Sequence, residues 1–293
     1  MVLLSILIAV IILQGWVSGA SLVRDRWFKS WLDVVAPGGV RSEKAEPETT
    51  LNNMLSQAWQ IFLAAVLPAL LVVGLVYWWF EGAAWAWLIL SVVALLYSFG
   101  RSEFSLALER YTDSCGQDDW RGAASCAYEL GIAEDQLNDG DWPSMHRLVL
   151  DAAAYRGFER MFAVLFWFVI LGPLGAMVYR HLMQMNHFKS DVNPLVKKCI
   201  YLMEWPAVRV FGASLAVTGN FAGWHLRWKD NLLQSGLSSV AVLNTSVLGA
   251  LSVDDELAKT CAVTRKELDL MSRLYTRTLW LWLVLAAVPV FVG

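Results

Sequence analysis

Charged side chains lie at the ends of several apolar, membrane-length runs in this sequence, where they could bind a ligand or transfer a proton. Burial of an ionised group at the margin of a bilayer is expensive, so such groups often mark a functional site. Arginines outnumber carboxylates among these charged residues, which favours a ligand that carries a phosphate or carboxylate over a cationic ligand. Glu129 belongs to the set, and the predicted ligand-binding residues are Arg101, Arg156, Glu159, Arg160, Arg180, Glu204 and Arg209.

A structural role is the competing interpretation of these charges. Arg160 and Arg180 would extend their head groups to the interface, and Glu204 would pair with a nearby arginine. The sequence has no Gly-Lys dipeptide, no H-E-x-x-H and no G-x-S-x-G, so we assign no catalytic residue and expect no cofactor. His181 and His187 are six residues apart, on different faces of a helix, and we interpret them as polar interfacial residues rather than metal ligands.

The composition is typical of an integral membrane protein built from helices. Hydrophobic residues make up 57% of the 293 residues and charged residues only 17%, and the 16 Trp suit aromatic belts at a membrane interface. The net charge of -3 and the lack of a basic block argue against nucleic-acid binding.

Four runs predict regular transmembrane helices. An apolar run at residues 1–13 has no basic residue before it, which favours an uncleaved first helix over a signal peptide. Residues 61–80 and 82–100 are long enough to span and form a tight hairpin, with a kink expected at Pro68. The fourth run is residues 279–292. Lys and Arg are frequent in residues 24–58 and 101–160 and absent from the hairpin turn, so both long loops are expected in the cytoplasm.

The number of membrane crossings in residues 161–226 is harder to assign. If residues 161–179 cross fully, Arg180 and the lysines after it lie outside, against the charge rule. Gly172-Pro173 and Gly175 are typical of a helix that is broken where protein covers it. We therefore expect a broken or re-entrant membrane segment here, and five or six full spans are the alternative.

The remaining segments are expected to be helical and packed. Residues 101–160 form an acidic cytoplasmic insertion, in which Asp141-Trp142-Pro143-Ser144 is a helix start that leads directly into the membrane. Residues 231–253 are uncharged but polar, and their small side chains suit close packing against other helices. The chain thus divides into residues 1–100, 101–160 and 161–293.

The cysteines form no C-x-x-C pair and no spacing that resembles a zinc site. Their loops are assigned to the reducing side of the membrane, so we expect free and mostly inert thiols. The residues concerned are Cys115, Cys126, Cys199 and Cys261.

One stretch, residues 155–224, carries a family resemblance. Its motifs are Arg156, the run 162–167 (F-A-V-L-F-W), the run 171–176 (L-G-P-L-G-A), Tyr179-Arg180, and the run 205–212 (W-P-A-V-R-V-F-G). The chain resembles the AmpE family of Gram-negative inner-membrane proteins, which is similar to the adenosylcobinamide-phosphate synthases of cobalamin biosynthesis. The resemblance implies a multi-pass inner-membrane protein linked to cell-wall recycling and to induction of chromosomal β-lactamase.

Two functions follow from this resemblance. The first is a non-enzymatic sensor that binds an anionic ligand, such as a muropeptide, or a cytoplasmic protein partner at the membrane margin, with the lipid bilayer around it. The alternative is a membrane-embedded amide ligase that uses Glu159 or Glu204 as acid or base. The E-N pair of the cobalamin enzymes is replaced here by Tyr155 and Arg156, and their N-T-L-D is absent from residues 181–186, which favours binding over catalysis. A third function, transport, would predict internal repeats, and the sequence shows no convincing repeat.

Overall fold

The computed structural model describes residues 2–15, 26–35, 51–99, 103–188, 194–228, 237–251 and 260–292. Within these ranges every regular element is a helix and no residue is in a strand, which confirms the expected all-helical class. The chain folds as two compact units. The first unit comprises residues 1–100 and 163–206, and the second comprises residues 101–162 and 207–293. The segment 161–293 is therefore divided between the units.

The first unit holds the N-terminal helices. Its elements are α1 (Val2–Gly15), α2 (Arg26–Val35), α3 (Leu51–Ile61), a π-helical turn (Phe62–Val66), α4 (Leu67–Trp79), α5 (Ala84–Ser98), α9 (Val164–Phe188) and the first half of α10 (Pro194–Thr218). Helices α4 and α5 form the expected hairpin. Glu81 and Gly82 adopt positive φ angles of 50° and 74° in its turn, and the Ala83 N–H donates to the Phe80 carbonyl at 2.8 Å.

The second unit holds the acidic insertion and the C-terminal helices. Its elements are α6 (Glu103–Gly116), α7 (Trp120–Glu129), a 3-10 turn (Glu134–Gln136), α8 (Trp142–Gly157), a π-helical turn (Phe158–Ala163, nearly all in this unit), the second half of α10, α11 (Phe221–Trp228), α12 (Ser239–Leu251) and α13 (Cys261–Val292). The Asp141 carboxylate accepts from the Ser144 N–H at 3.2 Å and caps α8, so the predicted helix start is confirmed. Helix α8 continues through the π turn into α9, also as predicted.

The number of long spans corrects the sequence prediction. In the described residues three helical stretches are long and apolar enough to cross a membrane, namely Leu55–Trp79, Trp142–His187 and Pro194–Thr218. Of the four expected regular spans, α1 has 14 residues and α5 has 15. At about 1.5 Å per residue each is shorter than a hydrocarbon core of about 30 Å.

Two of the three long stretches lie where a broken or re-entrant segment was expected. The break itself is present, because Gly172 inside α9 has φ 65° and ψ -154°. Helix continues on both sides of this residue, and Pro173 follows it directly. The segment is therefore a long helix with one interruption rather than an extended re-entrant loop.

Proline also explains an irregularity in the first span. Pro68 has no N–H, and the turn before it widens to the π-helical pattern, in which the Leu67 N–H donates to the Phe62 carbonyl. A π-helical turn is a known cause of a bend, so the kink expected at Pro68 has a structural counterpart.

Small residues allow α11 and α12 to approach closely. A Cβ on Gly249 would lie 2.8 Å from the Trp224 Cα, and the Asn220 N–H donates to the Ala250 carbonyl at 2.9 Å. Ser246, in the middle of α12, is fully buried and donates to the Val242 carbonyl. The close packing predicted for residues 231–253 is confirmed for the part that lies in α12.

Candidate functional site

An ion pair lies at the end of α8, in the second unit. The Arg156 Nη1 donates to Glu159 Oε2 at 3.0 Å, with side-chain exposures of 21% and 4%. Arg156 belongs to the last turn of α8, and Glu159 belongs to the π turn that follows. Removal of two charges from water costs free energy, and the close contact between the opposite charges of Arg156 and Glu159 offsets part of this cost.

The loop before α8 also holds Arg156. Its Nε donates to the Leu130 carbonyl at 3.4 Å, which is a long hydrogen bond. Gly131 has φ +88°, and a Cβ there would lie 2.5 Å from Arg156 Nη2. Glycine is required at this position both for the backbone angle and for the space that the guanidinium occupies. The guanidinium is thus fixed between a helix and a loop.

The other carboxylate predicted for the site lies in the first unit. Glu204 is 3% exposed and accepts a hydrogen bond from the Tyr179 hydroxyl at 3.2 Å. Tyr179 is itself 1% exposed. A second hydrogen bond joins the same two helices, because Trp167 Nε1 donates to the Met203 carbonyl at 3.1 Å.

The structure distributes the predicted site residues between the two units. Arg101 lies outside the described residues. Arg180 accompanies Glu204 in the first unit, and Arg160 and Arg209 are in the second, all three partly buried. Glu129 is on the exposed surface of the insertion and accepts two hydrogen bonds from Arg110, at 3.2 and 2.9 Å. Glu159 thus lies in the second unit and Glu204 in the first.

His181 corrects a sequence prediction. We expected a polar interfacial residue, but its side chain is 0% exposed. Its Nδ1 lies 2.8 Å from the Ala65 carbonyl, in the π turn, and its ring stacks on Phe28 with centroids 4.9 Å apart. Trp27 and Tyr97 contact the ring edge-on. No local pattern in the sequence indicates this cluster, because the residues around His181 are more than 80 positions away from it along the chain.

The cysteines require a second correction. Cys115 and Cys261 form a disulfide with Cα atoms 5.9 Å apart, whereas we predicted free thiols. The prediction failed because it rested on the expected compartment and on local spacing, and the two residues are 146 positions apart. Cys126 and Cys199 are free. Burial raises the pKa of the Cys126 thiol, which makes it a poor nucleophile.

A histidine that the sequence did not single out lies beside the disulfide. His146 is 2% exposed, and its Nε2 lies 3.9 Å from Cys115 Sγ. Its Nδ1 lies 2.6 Å from the Tyr111 hydroxyl, and Trp142 stacks on the ring with centroids 5.6 Å apart. A search of the described residues finds no group of three or more His, Cys, Asp or Glu side chains that could hold a metal ion.

Comparisons of the chain with protein-family models, with curated proteins and with solved structures find no match. Over the described residues, the class of protein that the fold defines is all-helical, with three helices there long and apolar enough to cross a membrane. The resemblance at residues 155–224 remains an expectation from the sequence.

Proposed function

We propose that this chain is a multi-pass protein of the bacterial inner membrane with a regulatory, sensor-like function of the AmpE type. In this proposal Arg156 receives an anionic ligand on the cytoplasmic side. The observation that carries the proposal is the Arg156–Glu159 ion pair, which lies where the 46-residue stretch Trp142–His187 passes from the acidic insertion into its apolar half.

The surface of the first unit supports a membrane location. Large apolar side chains are exposed along the hairpin, among them Leu71, Leu75 and Ile89. Aromatic side chains surround its turn, and Trp78 and Trp79 are 74% and 72% exposed. In water such a surface would favour aggregation, whereas in a bilayer the aliphatic groups contact lipid and the tryptophans lie at the interface.

Competition for Arg156 is the proposed sensing event. A ligand phosphate or carboxylate would accept the hydrogen bonds of the guanidinium in place of Glu159, since arginine binds both groups in the same planar geometry. The displaced Glu159 would then be a buried carboxylate with one cation fewer, which is unfavourable unless the turn rearranges. The ligand would in this way change the conformation of the π turn at the start of the apolar run. A muropeptide has the required carboxylates.

The test uses an inducible strain that lacks this protein and carries plasmid-borne variants. Arg156→Gln should reduce β-lactamase induction to the level of the empty strain. Arg110→Gln is the matched control, because it removes an arginine of the same unit whose pair with Glu129 is exposed, and it should leave induction unchanged. Protein in the membrane fraction is quantified by immunoblot. Full induction by Arg156→Gln at normal protein level would refute the Arg156 site.

The ligase alternative is tested with the purified protein. Incubation with an amino-alcohol phosphate, a carboxylic acid and nucleotide should give no amide product if the chain is a sensor. Product that disappears in Glu159→Gln or Glu204→Gln, but persists in Glu129→Gln, would establish catalysis instead.

A further inference from the structure

The disulfide joins the last turn of α6 to the first residue of α13. The separation of 5.9 Å between the Cα atoms lies within the range of about 4.4–6.8 Å that disulfides use. The same helices are also joined by Arg265, four residues after Cys261, and Asp113, two residues before Cys115, whose charged atoms are 3.1 Å apart. The backbone positions of the two helices therefore suit a disulfide at this place.

The neighbouring imidazole has an orientation that suits a thiolate. The Tyr111 hydroxyl lies 2.6 Å from His146 Nδ1. In the tautomer in which Nδ1 accepts from this hydroxyl, the ring N–H is on Nε2, the atom that lies 3.9 Å from Cys115 Sγ. An N–H directed at a sulfur stabilises the thiolate that forms when the disulfide opens.

From this geometry we propose that Cys115 and Cys261 are a reversible thiol–disulfide exchange site for small thiols of the glutathione class. His146 contacts the sulfur that leaves, and Tyr111 is a positioning residue that fixes the imidazole. The inference goes beyond the proposed function and does not depend on the ligand of Arg156.

The two sulfurs differ in access, which sets the direction of attack. Cys115 is 5% exposed, whereas Cys261 is partly exposed at the start of its helix. An external thiolate therefore attacks Cys261 Sγ and forms a mixed disulfide there. The bond between the two protein sulfurs breaks, its electron pair goes to Cys115 Sγ, and this thiolate takes a proton from solvent.

A second small thiolate completes the reaction. It attacks the small-molecule sulfur of the mixed disulfide, releases the Cys261 thiolate, which takes a proton, and leaves as the oxidised small disulfide. The protein disulfide and two small thiols thus become two protein thiols and one small disulfide, and excess small disulfide drives the reverse. On the cytoplasmic side, where we expect the insertion, thiol pools reduce permanent disulfides, so a bond there would cycle.

The experiment follows the redox state of the full chain in detergent. Protein is equilibrated with defined ratios of reduced and oxidised glutathione, quenched with acid, labelled with a maleimide after denaturation, and weighed by mass spectrometry. The label should rise reversibly from the two free cysteines to all four as the ratio increases. Cys115→Ser and Cys261→Ser should abolish the transition, and Cys126→Ser should retain it. Four labels at every ratio would overturn the proposal, as would a bond that glutathione never opens.

A kinetic measurement tests His146. His146→Gln should slow opening by glutathione about tenfold, because the leaving thiolate loses its donor. The pH profile of the opening rate should also shift, and Tyr111→Phe should shift it in the same direction if His146→Gln does not fold. Other ionisable groups on the helices around the site include Arg110 and Asp113 on α6, Cys126 on α7, Arg147 and Asp151 on α8, and Arg265, Lys266 and Glu267 on α13. If a folded variant opens its disulfide at the unchanged rate and with the unchanged pH profile, His146 has no part in the mechanism.

Discussion

At the scale of single residues, Glu159 and Glu204 are both 3% exposed, and the hydrogen bonds that hold them are of different kinds. Glu159 accepts from the guanidinium of Arg156, and Glu204 accepts from the hydroxyl of Tyr179. A charged donor offsets the desolvation of a carboxylate more completely than a neutral one. Loss of the Arg156 guanidinium should therefore lower the free energy of unfolding more than loss of the Tyr179 hydroxyl.

The Arg156 pair is tested by stability as well as by function. Arg156→Gln should lower the free energy of unfolding by about 3–5 kcal/mol, because the buried Glu159 loses a close positive partner. Arg110→Gln breaks a pair with exposures of 55% and 44% and should change it by less than about 1 kcal/mol. Unfolding midpoints in one detergent compare the variants, and equal midpoints would contradict the buried role of the pair.

Tyr179→Phe removes only the hydroxyl that donates to Glu204. The expected loss is about 1–3 kcal/mol, the usual cost of a missing donor to a buried acceptor. Tyr77→Phe makes the same chemical change at a residue that is 63% exposed on the hairpin, and it should have no measurable effect. Thermal unfolding of both variants gives the comparison. A Tyr179→Phe protein as stable as Tyr77→Phe would show that this hydrogen bond contributes little.

At the scale of elements, the interruption in α9 depends on one glycine. Gly172 adopts φ 65° and ψ -154°, a combination that is essentially restricted to glycine, and Pro173 prevents regular helix bonding across it. A helix without this break would have to pack its two halves along one axis. The backbone at Gly172 therefore sets the path of the longest apolar stretch.

Alanine at Gly172 measures this backbone requirement. Nothing lies within 4 Å of a Cβ at Gly172 or at Gly74, so neither substitution causes a clash. Gly172→Ala should destabilise by about 1–3 kcal/mol through strain. Gly74→Ala, inside α4, should stabilise by about 0.4–1 kcal/mol, because alanine restricts the unfolded chain. Unfolding midpoints that move in the same direction would refute the strain argument.

The contact between α11 and α12 depends on space rather than on a backbone angle. A Cβ on Gly249 would meet the Trp224 Cα at 2.8 Å and the Gly223 carbonyl oxygen at 3.1 Å. Because these are backbone atoms, Gly249→Ala should separate the helices at a cost of about 1–3 kcal/mol. Gly116→Ala, with nothing within 4 Å, is the control. Thermal unfolding distinguishes them, and a neutral Gly249→Ala would mean that the helices separate easily.

At the scale of the whole molecule, the orientation in the membrane is the main prediction. The hairpin turn has no Lys or Arg, and the segments on either side of the hairpin have several. The turn is therefore expected outside and the acidic insertion in the cytoplasm. The regulatory proposal and the reducing environment of the disulfide both depend on this arrangement.

Single cysteines in a cysteine-free background measure the orientation. In intact cells a membrane-impermeant maleimide should label Glu81→Cys, which lies in the hairpin turn. It should label Gln117→Cys, on the exposed surface after α6, only after the membrane is permeabilised. The reverse pattern would place the insertion outside the cytoplasm, and labelling of both in intact cells would contradict a hairpin that spans the membrane.

The sequence by itself determined the features that depend on local composition and local chemistry. Apolar runs predicted helices, Gly172-Pro173 predicted a break, and Asp141 predicted the start of α8. The structure agrees with these predictions because hydrophobicity, missing N–H groups and capping act within a few residues. The lengths of the apolar runs were a poor guide in one respect, since α1 and α5, as far as the structure describes them, are shorter than the thickness of a bilayer.

Only the tertiary structure decided which distant side chains meet. The charged residues form a recognisable set in the sequence, but only the structure joins Glu159 to Arg156 and Glu204 to Tyr179. It also buried His181 and brought Cys115 to Cys261. Such contacts join residues on helices far apart in the chain, and their energy depends on how whole helices pack. Local sequence patterns do not contain information about that packing. The sequence therefore predicted the helices, and the tertiary structure determined which side chains are in contact.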